Sequence, residues 1–169
     1  MSPFVGLPLF LVLGTLEAWL AHALAPLTVL RPDLLLTSAI ACGLLGGYRA
    51  GLAWGAVAGL IFDLLSAGPV GAGLLPMTLV GLASGLAQGR SLLLSSRLLP
   101  LQAALVGTVV FDLIYMLLLQ LSGWGFSLII AIYEVALPSA LLNALLMPAV
   151  YGVFYWLWQR ARSGREYGY

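Results

Sequence analysis

The amino-acid sequence predicts an all-α integral membrane protein, a six-helix transmembrane bundle that forms a single domain over residues 1–169. Of these residues, 62% are hydrophobic and only 8% are charged, whereas about 25% of the residues in soluble domains are charged. A chain with so few charges cannot cover a water-facing surface, so lipid must be most of its solvent. The length also fits, because six spans of about 20 residues would use most of the chain.

Apolar runs that are separated by Gly, Pro or polar residues define the predicted spans. The first run ends in Ala23-Leu24-Ala25, which resembles a signal-peptide cleavage site. No basic residue precedes this run and Pro26 follows it, so a retained first span is predicted instead. The six predicted spans cover residues 4–24, 33–48, 50–66, 72–89, 100–121 and 138–158.

Two of these boundaries need justification. Between the second and third spans, Gly46-Gly47-Tyr48-Arg49 leaves almost no loop, so these two helices are predicted to be neighbours. The last apolar run, 128–158, is too long for one span, because a helix of this length would reach about 46 Å. Pro138 lies inside it and biases Leu137 away from helical conformations. An interfacial helix at 127–137, followed by the span at 138–158, is therefore predicted.

The placement of arginine predicts the orientation. If six spans start from a cytoplasmic N-terminus, the outer loops hold only Arg31, and the other six of the seven basic residues are cytoplasmic. Cytoplasmic loops of membrane proteins carry an excess of basic residues. A multi-pass membrane protein with both termini in the cytoplasm is therefore predicted; the inner membrane as its location is implied only by the family resemblance given below. The six cytoplasmic arginines are Arg49, Arg90, Arg97, Arg160, Arg162 and Arg165.

Glycines recur every four residues in the third and fourth spans, and therefore lie on one face of each helix. Such faces allow close approach of two backbones in lipid. In an antiparallel hairpin that turns near residue 70, residues whose numbers sum to 140 lie opposite each other. The two rows of glycines satisfy this condition and would therefore face each other. Gly43 and Gly47 add a small face to the second span, which is the predicted attachment for a partner helix. The predicted level pairs are Gly51/Gly89, Gly55/Gly85 and Gly59/Gly81.

Ionisable residues inside spans cost at least about 2.5–3.5 kcal/mol at the centre of the membrane, so each needs a reason. Two interpretations stay open: a site that binds a cation or relays protons, and a set of structural polar contacts. Under the second, Asp63 caps backbone groups of the turn at 66–71, Glu134 lies in water, and Asn143 hydrogen-bonds a neighbouring helix. The candidates are Glu17, Asp63, Asp112 and Glu134, predicted in the outer half of the bilayer near His22, Arg31 and Asp33.

Several function classes are disfavoured. The sequence contains no nucleophile–base pair, no metal-ligand spacing and no phosphate-binding loop, so catalytic, metal and cofactor sites are not predicted. A net charge of +1 argues against nucleic acid as a partner. The single cysteine, Cys42, cannot form an internal disulfide and is predicted to be a small buried side chain.

Four short motifs that consist mostly of Gly and Leu follow one another in the first half of the chain. They are Arg31-Pro32-Asp33-Leu34-Leu35-Leu36, then Gly59-Leu60-Ile61-Phe62-Asp63-Leu64-Leu65-Ser66, then Gly68-Pro69-Val70-Gly71, and then Thr78-Leu79-Val80-Gly81. Their order and spacing over residues 30–90 resemble the MreD family of bacterial rod shape-determining membrane proteins. Beyond this stretch the resemblance depends on Asp112, Asn143 and Pro148.

The resemblance implies a non-enzymatic component of the cell-elongation machinery. It implies as partner an MreC-like protein with one transmembrane helix. It also implies that the chain interacts, directly or through MreC, with the RodA glycosyltransferase and a class B penicillin-binding transpeptidase. A second copy of the chain is a further candidate partner. The implied fold is similar to the six-helix substrate-binding subunits of energy-coupling-factor vitamin transporters.

That similarity supplies a second function. In one hypothesis the protein is a scaffold without a substrate; in the other it is a transporter subunit whose outer carboxylates line a ligand pocket. The sequence favours the scaffold, because the outer loop Trp124-Gly125-Phe126 lacks residues suited to a lid.

Overall fold

The computed structural model describes residues 3–24, 32–66, 68–88 and 98–166, which form helices and turns and contain no strand. Four helical stretches among them are long and apolar enough to cross a membrane: Phe4–Ala23, Leu34–Leu65, Leu99–Leu121 and Ile129–Arg160. The predicted all-helical fold class is confirmed. The elements are α1 (Pro3–Leu24), α2 (Leu34–Leu65), α3 (Leu74–Ala87), α4 (Leu99–Leu121), α5 (Leu128–Ala131), a π-helical turn (Ile132–Ala136) and α6 (Leu137–Glu166).

The difference between these four stretches and the six predicted spans arises in α2 and α3. Helix α2 contains both the second and the third predicted span in one 32-residue element. Helix α3 has only 14 residues, so it reaches about 21 Å, which is shorter than a hydrocarbon layer of about 30 Å.

Helix α2 reverses direction at Gly47. This glycine has φ +78° and ψ −175°, a conformation that costs glycine little and other residues much. A Cβ atom on Gly51 would lie 3.1 Å from the Cα atom of Gly43, although eight residues along a straight helix span about 12 Å. The two halves of α2, 34–46 and 48–65, therefore pack against each other, and their predicted adjacency is confirmed.

The first half of α2 is the central helix of the bundle. All ten residues from 35 to 44 are buried, and α1, α3, α4 and α6 all contact α2. A helix that is apolar on every side can be stable only when other elements surround it. Cys42 lies on this segment and is fully buried as a free thiol, as the sequence predicts.

Glycines do bring α2 and α3 into backbone contact. A Cβ atom on Gly55 would lie 2.7 Å from the carbonyl oxygen of Met77, and one on Gly59 would lie 2.5 Å from the Cα atom of Leu74. A Cβ atom on Gly51 would overlap the carbonyl oxygen of Gly81. Lipid provides no hydrophobic drive for helices to associate, so close packing of this kind is important there. The predicted close packing at these glycines is confirmed.

The predicted register of this hairpin is wrong. Gly81 lies against Gly51 and not against Gly59, while a Cβ atom on Gly85 would lie 2.5 Å from the Cα atom of Tyr48 and not beside Gly55. The prediction assumed a symmetric turn at residue 70, but residues 71–74 are drawn back to the end of α2 by Asp63, as described below. Gly89, in the third predicted pair, lies outside the described residues.

The prediction that Gly43 and Gly47 form a free small-residue face on the second span is also wrong. A Cβ atom on Gly43 would lie 2.7 Å from the carbonyl oxygen of Gly81 and 3.0 Å from the nitrogen of Gly85. Gly47 is the reversal point, and a Cβ atom there would lie 2.8 Å from Oε1 of Gln88. Helix α3 therefore covers the face that was predicted to receive a partner.

The predicted break at Leu137 is wrong as well. Leu137 has helical angles, φ −67° and ψ −48°, and its N–H donates to the carbonyl of Ile132. This five-residue spacing is that of a π-turn. A wider turn accommodates Pro138, which has no N–H and whose ring would clash with the preceding turn of an α-helix. Residues 128–166 are therefore continuously helical, and the interfacial position of 127–137 stays a prediction.

Helix α1 joins the bundle through contacts that the sequence analysis missed. A Cβ atom on Gly6 would overlap the ring of Trp54, and Phe10 stacks on the same ring with centroids 5.0 Å apart. One turn further on, a Cβ atom on Gly14 would lie 2.6 Å from Cγ2 of Ile61. The spacing of four residues between 6, 10 and 14 marks this face of α1.

Candidate ligand cavity

A cavity of about 660 Å³ lies at one end of the bundle. Its walls come from the C-terminal halves of α1 and α4, from both ends of α2, from the loop at 124–126, and from the segment 131–139 that leads into α6. The predicted spans place this end on the outer side. Three carboxylates line it, those of Glu17, Asp33 and Asp112, so the sequence prediction of an acidic cluster is partly realised here.

Glu17 binds the start of a neighbouring helix. Its side chain is buried, and Oε2 accepts a hydrogen bond of 2.8 Å from the N–H of Leu35 in the first turn of α2. The first N–H groups of a helix have no partner inside the helix, and a negative charge is favourable there. Glu17 therefore ties α1 to α2, and a role in the fold accounts for its position.

Asp63 has the same role at the start of α3. Oδ2 accepts hydrogen bonds from the N–H groups of Gly71 (2.8 Å) and Leu74 (3.1 Å), and Oδ1 accepts one from the N–H of Gly73 (2.8 Å). These bonds hold the loop between α2 and α3 against the end of α2. The predicted cap is confirmed, and Asp63 does not line the cavity.

Asn143 links three parts of the bundle. Its Nδ2 donates to Oδ2 of Asp33 (3.0 Å) and to Oγ1 of Thr108 (3.2 Å), while its Oδ1 accepts from the N–H of Asp33 (3.0 Å). Asn143 is fully buried on α6, Thr108 is fully buried on α4, and Asp33 precedes α2. The predicted interhelical hydrogen bond of Asn143 is confirmed.

Asp112 differs from these carboxylates. Its side chain is only 7% exposed, it lines the cavity, and its Oδ2 atom has no hydrogen-bond partner among the described residues. Ser66 Oγ, at the end of α2, lines the same cavity and is also buried without a partner there. Native proteins leave few buried polar atoms unpaired, and each one calls for an explanation.

Aromatic rings form much of the remaining wall. Phe111 and Tyr115 stack at 5.7 Å with an angle of 8°, and Phe62 meets both edge-on at 5.8 and 5.6 Å. Trp124 and Phe126 also line the cavity, although the sequence analysis considered their loop unsuited to a lid. The sequence did contain a signal, because 111, 115 and 119 are four residues apart on α4, as are 112 and 116.

Of the other predicted polar residues, one lines the cavity and another lies outside it. His22 lines the cavity, whereas Glu134 is exposed on the π-turn and does not. Arg31 lies outside the described residues. Within the described part of the chain, no three or more His, Cys, Asp or Glu side chains could together hold a metal ion.

Comparison with known proteins identifies a family. The family model described as rod shape-determining protein MreD matches residues 1–161 of the 169-residue chain. The chain matches no curated protein and no solved structure. Similarity to the substrate-binding subunits of energy-coupling-factor transporters therefore stays a prediction.

Proposed function

The chain belongs to the MreD family of membrane proteins that determine rod shape, and we propose that it is a non-enzymatic scaffold of the bacterial cell-elongation complex. In this role it binds an MreC-like protein with one transmembrane helix. Through that protein, or directly, it helps to regulate peptidoglycan synthesis by RodA and its class B transpeptidase. The observation that carries the proposal is the family match over nearly the whole chain.

The polar contacts of the bundle support a scaffold. Glu17, Asp63 and Asn143 all lie in helices, and each forms hydrogen bonds to another segment of the chain. Polar groups in a membrane are costly, and interhelical hydrogen bonds are one of the forces that hold helices together there. Four of the nine buried polar side chains among the described residues therefore fix the arrangement of helices that a partner would recognise: Glu17, Asp63, Thr108 and Asn143.

We propose six membrane passes, with both termini in the cytoplasm, in the inner membrane. The reversal at Gly47 supports this count, because it divides the 32-residue α2 into two halves that pack against each other, and we assign one pass to each half. The packing of α3 against the second half of α2 supports a further pass. Since α3 covers Gly43, the partner has to contact another face of the bundle.

Co-purification and complementation test the scaffold. In a rod-shaped bacterium that lacks its own MreD, the tagged chain should restore rod shape and retain an MreC-like partner through detergent extraction. The variant Glu134→Gln, which changes an exposed side chain, serves as a control. It should restore rod shape and retain the MreC-like partner as well as the unchanged chain does. Restored shape without any retained MreC-like protein, or retention without restored shape, would contradict the proposal.

One observation favours the second candidate, a transporter subunit. The cavity volume of about 660 Å³ lies within the range of about 300–1,000 Å³ that small-molecule sites occupy. This function requires a transporter ATPase as partner and solute uptake that depends on Asp112. Uptake of this kind in cells without an MreC-like protein would replace the scaffold proposal.

A further inference from the structure

One carboxyl group in the cavity wall has an oxygen atom that no described part of the fold pairs. Asp33 and Glu17 both accept hydrogen bonds from other parts of the chain, so their carboxylates contribute to the bundle itself. Oδ2 of Asp112 has no partner among the described residues, although the side chain is more than nine-tenths buried. An unpaired buried carboxylate oxygen is costly, and the residue that carries it lines a cavity large enough to hold a ligand.

The size and the lining of the site fit an organic molecule better than a metal ion. No group of three or more His, Cys, Asp or Glu side chains in the described residues is arranged to hold one. The volume of about 660 Å³ also far exceeds that of a single ion and matches a small organic molecule. The apolar side chains of Met116 and Leu119 in the wall require such a molecule to carry an apolar part.

The aromatic wall indicates the charge of this molecule. Phe62, Phe111 and Tyr115 form one continuous ring cluster. Asp112 and Ser66 line the same cavity, and each has an oxygen atom without a hydrogen-bond partner among the described residues. Aromatic faces attract cations within about 6 Å of the ring centre. Carboxylate and hydroxyl oxygens accept hydrogen bonds from an ammonium group, which carries three N–H donors.

We propose that this cavity binds the primary ammonium group of an amphipathic amine. The ammonium group donates hydrogen bonds to the carboxylate of Asp112 and to the hydroxyl of Ser66, and the ring cluster lines the same cavity. The apolar part of the amine contacts Met116 and Leu119. Two sources supply this chemistry: the ethanolamine headgroup of a membrane phospholipid and a free primary amine.

Binding of two matched probes to the purified full-length protein in phosphatidylcholine nanodiscs, which contain no competing primary amine, tests the charge of the ligand. Phenethylamine, which is a cation at neutral pH, should bind at least about tenfold more tightly than 2-phenylethanol, its neutral counterpart, because a tenfold ratio needs only about 1.4 kcal/mol. The readouts are calorimetry and the shift in melting temperature. Equal binding of the two probes, or binding of neither, would overturn the proposal.

Variants test the residue. Asp112→Asn keeps the shape of the side chain and removes the charge, so affinity for phenethylamine should fall by about tenfold or more while the helical signal in circular dichroism is unchanged. Glu134→Gln, an exposed carboxylate outside the cavity, should leave the affinity unchanged. An unaltered affinity in folded Asp112→Asn would refute the assignment.

The lipid composition of the nanodiscs distinguishes the two sources. If the headgroup is the ligand, nanodiscs with phosphatidylethanolamine should suppress phenethylamine binding relative to nanodiscs with phosphatidylcholine, whose methylated nitrogen has no N–H donor. Native mass spectrometry should then show retained phosphatidylethanolamine on the wild type and less of it on Asp112→Asn. Phenethylamine binding of equal strength in both lipids would assign the site to a free amine.

Discussion

Asp63 and Asp112 are two buried aspartates in the same membrane protein, and their surroundings are opposite. Both oxygens of Asp63 accept hydrogen bonds, three in all, from the backbone at the start of α3. Asp112 is equally buried, at 7% exposure for both side chains, but its Oδ2 is unpaired among the described residues. The same side chain therefore caps a helix at one position, and at the other it lines a cavity with one oxygen atom unpaired among the described residues.

Amide substitutions should separate these two roles. Asp63→Asn replaces one accepting oxygen by an NH₂ group that faces backbone N–H donors, so the free energy of unfolding should fall by about 1–3 kcal/mol. Asp112→Asn removes a buried charge without breaking a hydrogen bond at Oδ2, so the unliganded protein should be as stable or more stable. Thermal melting of both variants in detergent measures the difference. An equal loss of stability in the two variants would contradict this assignment of roles.

Sequence reasoning could predict the role of Asp63 and of Asn143, because a carboxylate near a Gly-rich turn and an amide within an apolar helix each have few uses. It could not separate Asp112 from Glu17. The partner of Glu17 is the N–H of Leu35, which belongs to a different helix, and Ser66 reaches the same cavity as Asp112 from the end of α2. Such partnerships depend on how helices distant in sequence come together, and residue spacing within one helix does not contain that information.

Helices α2 and α3 pack against each other more extensively than any other two described elements. Their glycines allow one backbone to lie against the other, and Gln88 Nε2 at the end of α3 donates a hydrogen bond of 3.2 Å to the carbonyl of Leu45, beside the reversal at Gly47. The small residues identify the contacting faces from sequence alone. The register follows from the loop, which Asp63 folds back by its hydrogen bonds, and a count of residues about a symmetric turn cannot predict that.

Added volume at these glycines should be far more costly than at an open glycine. In Gly81→Ala the new methyl group would overlap the carbonyl oxygen of Gly51, and backbone atoms cannot move aside as a flexible side chain can. Overpacking of this kind costs about 1–3 kcal/mol or more. Gly152→Ala on α6 is the matched control, because a Cβ atom there meets nothing within 4 Å. Comparable melting temperatures for the two variants would show that the α2–α3 contact is looser than described.

In the molecule as a whole, longer and more exposed helices surround one buried helical segment, the first half of α2. The most apolar window of α2 is 61% buried, against 17% for α1 and 28% for the stretch 129–160. In a membrane the exposed apolar surfaces of α1 and α6 face lipid or partner helices. The reversal at Gly47 raises the four long stretches to five passes, and the proposed sixth pass, α3, gives the even number that termini on the same side require.

Accessibility to an impermeant thiol reagent tests that topology in intact cells. With Cys42 replaced, cysteines at Ser96 and Gly164 should be protected, because the arginine distribution predicts that both segments are cytoplasmic. A cysteine at Gly123 should react, since this position is exposed in the turn after α4, at the same end of the bundle as the cavity residues Trp124 and Phe126. Permeabilised cells provide the control, in which all three positions should react. If Gly164→Cys reacts in intact cells while Ser96→Cys does not, the number of passes after α4 is even. The C-terminal arginines would then lie outside, and the six-pass proposal would fail.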